Sequence, residues 1–381
     1  MTDRSVWREH GSPLLPRTGD GPLNGLGVAV KDLFAVGGFP IGAGNPAWLA
    51  GAAREHSDAP ALAALRAAGA AVAGIAQTDE LAFSLSGVNA HYGAPPNPAA
   101  PDRVSGGSTS GPASAVAAGT AEIGLGTDTA GSIRVPASVC GLFGLRPTHG
   151  AVSLAGVIAL APSFDTVGWL ARDAGTLRAV GSVLLPAGPV DRPSRLLLGD
   201  GLTPGMVSAL GARVEPGAVL PPDSLTALLA AFRTVQAAEA WGLRGEWITS
   251  HPGALGPEVE ARFRAGAAVN PDREVSARAT IAELRAMVVA GLGDDTWLAL
   301  PAAGGPGPTR SAPEPERDAW RGATLRSTVI ASACGLPSVV VPTVAVPTAA
   351  RPPLGLALVG PPGADRALLA AANVLDSQAD R

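Results

Sequence analysis

The stretch "AEIGLGTDTAGSIRVPASVCG", residues 121 to 141, changes character twice. It opens as a strand, crosses a Gly/Thr/Ser loop and closes as a helix, the repeating unit of an α/β sheet. The chain on either side keeps that alternation. "LGVAVKDLF", 26 to 34, reads as a short buried strand ending at Lys31-Asp32, because small and β-branched residues follow one another without helical spacing. "SDAPALAALRAAGA", 57 to 70, is an Ala/Leu helix with Ser57 or Asp58 as N-cap and Gly69 as its stop, and "AAVAGIA" after it is a strand. "PASAVAAG" is a helix that Pro112 opens. Further helices are expected near 223 to 241 and 276 to 290. "PSVVVPTVAV" and "LGLALVG" read as buried strands, and "ADRALLAAANVLDSQ" as a terminal helix. Residues 186 to 225 are rich in Pro and Gly, and the first 24 residues lack periodicity and are expected to wrap the surface. No internal repeat appears.

A chain of 381 residues allows two domains or one large α/β unit, and without an obvious linker the single unit is the simpler reading. A formal charge of −4 with scattered basic residues argues against nucleic-acid or polybasic membrane partners. Cys140 and Cys334 are too few for a disulfide scaffold and have no CxxC spacing. The N-terminus lacks a signal-like apolar core, and no uncharged apolar run reaches the roughly 18 residues of a spanning helix. A soluble, cytoplasmic protein is expected.

Two loops carry the chemistry: "SGGSTSGPASAVAAG", 105 to 119, and "GTDTAGSIRVPA", 126 to 137. Each places Ser beside Gly before a helix, where free backbone N–H groups can hold negative charge. Neither has the lysine of a P-loop, and GxGxxG is absent from both. Five histidines are present, but no G-x-S-x-G elbow surrounds either loop serine, so a base other than His is needed. Lys31 is the only lysine in the chain, against 27 arginines. Arginine does not deprotonate in proteins, whereas a buried lysine can become a neutral amine. The plain alternative is a lysine that survived by chance in an arginine-rich chain.

"GGSTSGPASAVAAG" followed by "GLGTDTAGSIRVPASVCGLFGLRPTHG" resembles the signature region of the amidase signature family of serine amidohydrolases. The likeness is dense over 25 to 175 and resumes at "ASACGLPSVVVP" and "LGLALVGPPGADRALLAAA". It implies one amidase domain over 1–381, an α/β/α sandwich with a central mixed sheet. Its parts would be a surface-wrapping segment 1–24, a signature core 25–175, a variable substrate side 180–310 and C-terminal core elements 325–381. The family's Ser-cisSer-Lys triad falls on Ser132 as nucleophile, Ser108 as relay and Lys31 as base, with no cofactor or metal. The same resemblance puts an oxyanion hole on the backbone of Thr129, Ala130, Gly131 and Ser132. It makes Asp128 and Arg134 braces of the nucleophile loop, although a surface ion pair is an equal reading of those two residues. Thr109 is placed to hydrogen-bond the relay, and Cys140 reads as a small buried residue.

Departures from the family pattern are Thr109, Ala130 and the odder Pro112. "DELAFSLSGVNAHYGAPPNP", "SFDTVGWLARD" and "AAEAWGLRGEWI" look most like the short branch that includes indole-3-acetamide hydrolases. Small arylacetamides or short aliphatic amides are the expected substrates, with Ala82, Phe83 and Ser84 in the acyl pocket and a homodimer possible. An acyltransferase using the same acyl-enzyme and a glutamine amidotransferase subunit remain open.

Overall fold

A computed structural model describes residues 3–343 and 351–379. Its first third follows the alternation expected: β1 (Trp7–Leu15), β2 (Gly27–Lys31), the short α1 (Pro46–Gly51), α2 (Pro60–Ala67), β3 (Ala71–Ala76), α3 (Ser110–Ala117), β4 (Ile123–Asp128) and α4 (Arg134–Cys140). The middle holds β5 (Phe143–Arg146), β6 (Thr166–Ala171), α5 (Ala174–Leu184), β7 (Arg195–Leu198) and β8 (Arg213–Pro216). Three helices follow, α6 (Pro222–Ser250), α7 (Pro257–Ala267) and α8 (Pro271–Leu292). The chain continues through β9 (Thr296–Pro301), α9 (Glu314–Cys334), β10 (Ser338–Pro342), β11 (Gly355–Val359) and α10 (Asp365–Ala379).

The described strands form one sheet in the order β1-β3-β2-β4-β6-β5-β10-β11-β9-β7-β8. It is mixed: β3, β2 and β4 run parallel, as do β9, β7 and β8, while the β4-to-β6 and β6-to-β5 pairings are antiparallel. Helices cover both faces. On one side α2, α5 and α10 pack over Val28, Val30, Ile123 and Leu125. On the other α3, α4, α8 and α9 share a core with Ala29, Ala76 and Leu170. Because strand side chains alternate between faces, Lys31 follows Ala29 onto the side of α3 and α4. That parity brings the lysine toward both serine loops.

Several local expectations are corrected. The first residues do not merely wrap the surface: β1 is an edge strand, antiparallel to β3, with two register irregularities. An edge strand pairs on one side only, so its sequence need not alternate. The N-cap of α2 is Ala59, with Pro60 in the first turn. Asp58 instead accepts from Gly37 N at 2.8 Å and pairs with Arg66. Helix α3 begins at Ser110, two residues before Pro112, which its first turn tolerates because no intrahelical acceptor awaits that nitrogen. The helices expected near 223 and 276 are longer than their patterns, and α1, α5, α7, α9 and strands β5, β6, β7, β8 and β9 have no counterpart among the expected elements. Residues 344 to 346 of the expected strand "PSVVVPTVAV" lie outside the described residues. Among the described residues no helix is long and apolar enough to cross a membrane.

Candidate active site

Parallel strands β2 and β4 end side by side, and the loops leaving β4 and entering α3 meet at their carboxyl ends, where open α/β sheets hold their ligands. Lys31 terminates β2 and is wholly buried. Its Nζ donates to Ser108 Oγ at 2.8 Å and to Thr127 Oγ1 at 2.9 Å. Ser108 Oγ donates in turn to Ser132 Oγ at 3.0 Å. Lys31, Ser108 and Ser132 therefore form one unbroken hydrogen-bonded line. The peptide bond between Gly107 and Ser108 is cis. Gly107 has no room for a side chain, since a Cβ there would stand 2.2 Å from Asp79 Oδ2.

Burial pushes the Lys31 amine down from 10.5 to about 7, against the opposing pull of Asp79, Asp128 and Asp165. A substantial neutral fraction therefore exists near neutral pH. This is the state in which Nζ offers a lone pair, and the same spacing serves when Ser108 donates to it. Asp79, itself buried, has its carboxyl raised by desolvation, while Gly87 N donates to its Oδ2 at 2.9 Å.

The nucleophile loop is held by a buried ionic knot. Asp128 accepts from Arg134 Nε at 3.0 Å and from the backbone nitrogens of Gly131 at 3.0 Å and Ile133 at 3.1 Å. Arg134 and Arg146 each bring a guanidinium nitrogen to Asp128 Oδ1 at 2.9 Å. Burial opposes ionisation of this carboxyl, but the two guanidiniums outweigh it and hold Asp128 far below the ordinary carboxylate range. All three side chains are almost wholly buried, so the surface ion-pair reading of Asp128 and Arg134 is wrong. Arg134 also donates to Thr328 O at 2.8 Å and to Ser332 Oγ at 2.7 Å, both on α9. Thr328 Oγ1 returns a bond to Ala130 O at 2.6 Å.

Two expectations about this loop change. Gly131 adopts φ 131°, a region that favours glycine, and its amide is already committed to Asp128. Among the described residues no acceptor meets the amides of Thr129, Ala130 or Ser132, so three of the four expected oxyanion donors are free rather than all four. Thr109 does not touch the relay: its Oγ1 donates to Thr127 O at 3.2 Å. The hydroxyl beside Lys31 belongs to Thr127 instead. Cys140 is buried, donates to Ser105 O at 3.3 Å and has its thiol pushed up to about 12 by burial, as suits an inert residue.

Thr127, Arg146 and Asp165 were not foreseen as site residues. Asp165, whose carboxyl burial raises, accepts from Thr129 Oγ1 at 2.6 Å and from the amides of Leu160 and Ala161, pinning the loop from the far side. Arg146 and Asp165 stand within "FGLRP" and "SFDTVG", where nothing local marks them as partners of residues nearly 20 and 40 positions back. Ser132 opens into a cavity of about 180 Å³ whose walls include Ala82, Phe83 and Ser84. An engineered cavity of about 150 Å³ takes a benzene ring, so the space suits a small acyl group. Among the described residues no group of His, Cys, Asp or Glu side chains is arranged to hold a metal ion.

The profile of the family described as Amidase matches residues 14–198. Over 409 aligned residues the chain is 35% identical to Amidase 1 of Arabidopsis thaliana, covering 96% of this chain and 95% of that protein. It is 41% identical over 203 residues to indoleacetamide hydrolase of Pseudomonas savastanoi, covering 52% of this chain and 43% of the other. A crystal structure of an amidase matches with a TM-score of 0.81 at 29% identity, over 94% of this chain and 85% of that one.

Proposed function

The chain belongs to the amidase family and is an amide-hydrolysing enzyme, and from that premise we propose that it cleaves small carboxamides through an acyl-enzyme on Ser132. Ser108 is the proton relay in this reading and Lys31 the base. The observation that carries it is the line from Lys31 Nζ through Ser108 Oγ to Ser132 Oγ, with steps of 2.8 and 3.0 Å and an amine lowered to about 7.

Neutral Lys31 takes the Ser108 proton while Ser108 takes that of Ser132, and the freed Ser132 oxygen adds to the amide carbon. Charge gathering on the carbonyl oxygen meets the unengaged amides of Thr129, Ala130 and Ser132, held in place beforehand by Asp128, Asp165 and Thr328. As the tetrahedral adduct collapses, the C–N bond breaks and the relay hands its proton to the departing nitrogen, releasing ammonia or an amine. Water then adds to the ester by the same relay, and the carboxylic acid leaves with Ser132 restored. Small primary carboxamides, arylacetamides included, are the substrates this reading favours. The likeness to indoleacetamide hydrolase supports the aryl members, as do the apolar walls at Ala82, Phe83 and Leu160.

The test is ammonia release from a panel of aromatic and aliphatic primary amides, with the acyl-enzyme detected by intact mass and intercepted by hydroxylamine. Ser132→Ala should show no acyl adduct and lose about 10⁴-fold or more in turnover. Undiminished turnover in that variant would refute the assignment.

A further inference from the structure

The cavity that Ser132 opens into is also lined by three arginines from three helices: Arg233 on α6, Arg262 on α7 and Arg321 on α9. Arg262 is committed within the protein, donating to Phe83 O at 2.9 Å and to Glu258 Oε2 at 3.2 Å. Arg233 and Arg321 are different. Among the described residues neither guanidinium donates a hydrogen bond or stands within ion-pair distance of a carboxylate. Burial and the adjacent Arg262 push the Arg321 guanidinium down to about 10, only partly offset by Asp318, with Arg233 a further like charge and Glu258 a further opposite one. A second, independent observation comes from Gln236, one helical turn beyond Arg233. This residue is only 8% exposed and lines the same cavity, and among the described residues no hydrogen-bond partner meets its amide. A half-buried guanidinium that makes no hydrogen bond, with Arg262 and Arg233 as like charges beside it, gains from an anion that enters the cavity, and the open Gln236 amide offers that anion a further donor.

We propose that the carboxamide substrate of this enzyme carries a carboxylate at the end remote from the scissile bond, held by Arg321 and Arg233 with Gln236 as an additional donor. This deepens the reading of Ser132 as the nucleophile and rests on it. Guanidinium forks match a carboxylate in two parallel hydrogen bonds, which an uncharged acyl group cannot supply. Phe83, Leu160 and Leu325 line the same cavity, and these apolar walls suit a short methylene spacer. A cavity of about 180 Å³ limits that spacer to a few carbons. The class is therefore the monoamides of short dicarboxylic acids.

The experiment compares kcat/KM for succinamate and for 4-methylpentanamide, its near-isostere without charge, alongside inhibition by succinate. The wild-type enzyme is expected to favour succinamate at least tenfold, with the preference shrinking as salt is raised, and succinate is expected to compete with substrate. In Arg321→Met and in Arg233→Met the ratio of the two kcat/KM values should fall tenfold or more, chiefly through KM for succinamate. Arg233 is exposed, so its variant answers even where Arg321→Met fails to fold. If 4-methylpentanamide acylates Ser132 and succinamate enjoys no preference, the carboxylate proposal is overturned while the Ser132 reading stands. If neither amide releases ammonia or acylates Ser132, nor does any other primary amide tried, the underlying reading falls and takes the proposal with it.

Discussion

Replacing Lys31 with methionine should abolish turnover and make the protein more stable relative to wild type as the pH falls. Folding takes the amine from an ordinary 10.5 to about 7, chiefly by burial. At about 1.4 kcal/mol for each pH unit between them, that corresponds to a folding cost of about 5 kcal/mol. The sign follows from proton counting. Between pH 7 and 10.5 the unfolded chain holds a proton on Lys31 that the folded chain lacks, so wild-type stability rises with pH in that window. The cost is fully present below about pH 7 and fades as the pH approaches 10.5. Methionine, similar in length and uncharged, removes this slope. It also strips Thr127 Oγ1 of the Lys31 donor, a loss of about 1 to 3 kcal/mol that does not depend on pH. Urea unfolding of both proteins at pH 7 and pH 9.5 isolates the effect, because every other titration cancels in the difference. Relative to wild type, the variant should lose about 3 kcal/mol of stability between those two conditions. A difference that stays constant would show that Lys31 titrates as an ordinary lysine, and the account of the base would fail with it.

Activity should follow the same group from the other side: kcat/KM is expected to rise about tenfold per pH unit below pH 7 and to level off above it, as the neutral amine becomes the dominant form. A rise that continues to pH 10 would contradict the depressed amine. Asp128→Asn leaves the buried Arg134 and Arg146 without their shared carboxylate and should destabilise the fold by about 3 to 5 kcal/mol. A thermal melt checks this, and a midpoint unchanged from wild type would mean that the ionic knot does not hold the loop.

Strands β2, β3, β4, β10 and β11 are legible because they are largely buried and read as continuous runs of small and aliphatic residues, whereas β5 (FGLR) and β6 (TVGWLA), just as buried at the centre of the sheet, break theirs with Phe, Arg or Trp. The serine loops were legible because a closely approached backbone demands glycine and other small residues. Elsewhere the pattern is diluted. Trp7 is buried in β1 but Glu9 and Ser12 are not, and an edge strand with irregular register leaves no period to find. Helix α9 begins with a charged turn and buries an unbroken run only in its last part, from Thr328 onward, so its start resembles a loop. The bracing residues were hidden for another reason. Arg146 looked like one arginine among 27, and only the fold places it against Asp128. Thr127 looked like the end of a strand, and its hydroxyl acquires meaning only from the lysine that reaches it across β2 and β4.

The solitary lysine has a consequence beyond its proton. Because Lys31 holds the chain's only ε-amino group, protein grown on lysine labelled with nitrogen-15 at that position carries one labelled side-chain nitrogen, already assigned by the composition. Its chemical shift reports the charge on the proposed base directly, before substrate, in the acyl-enzyme and after product release, with no neighbouring signal to resolve it from.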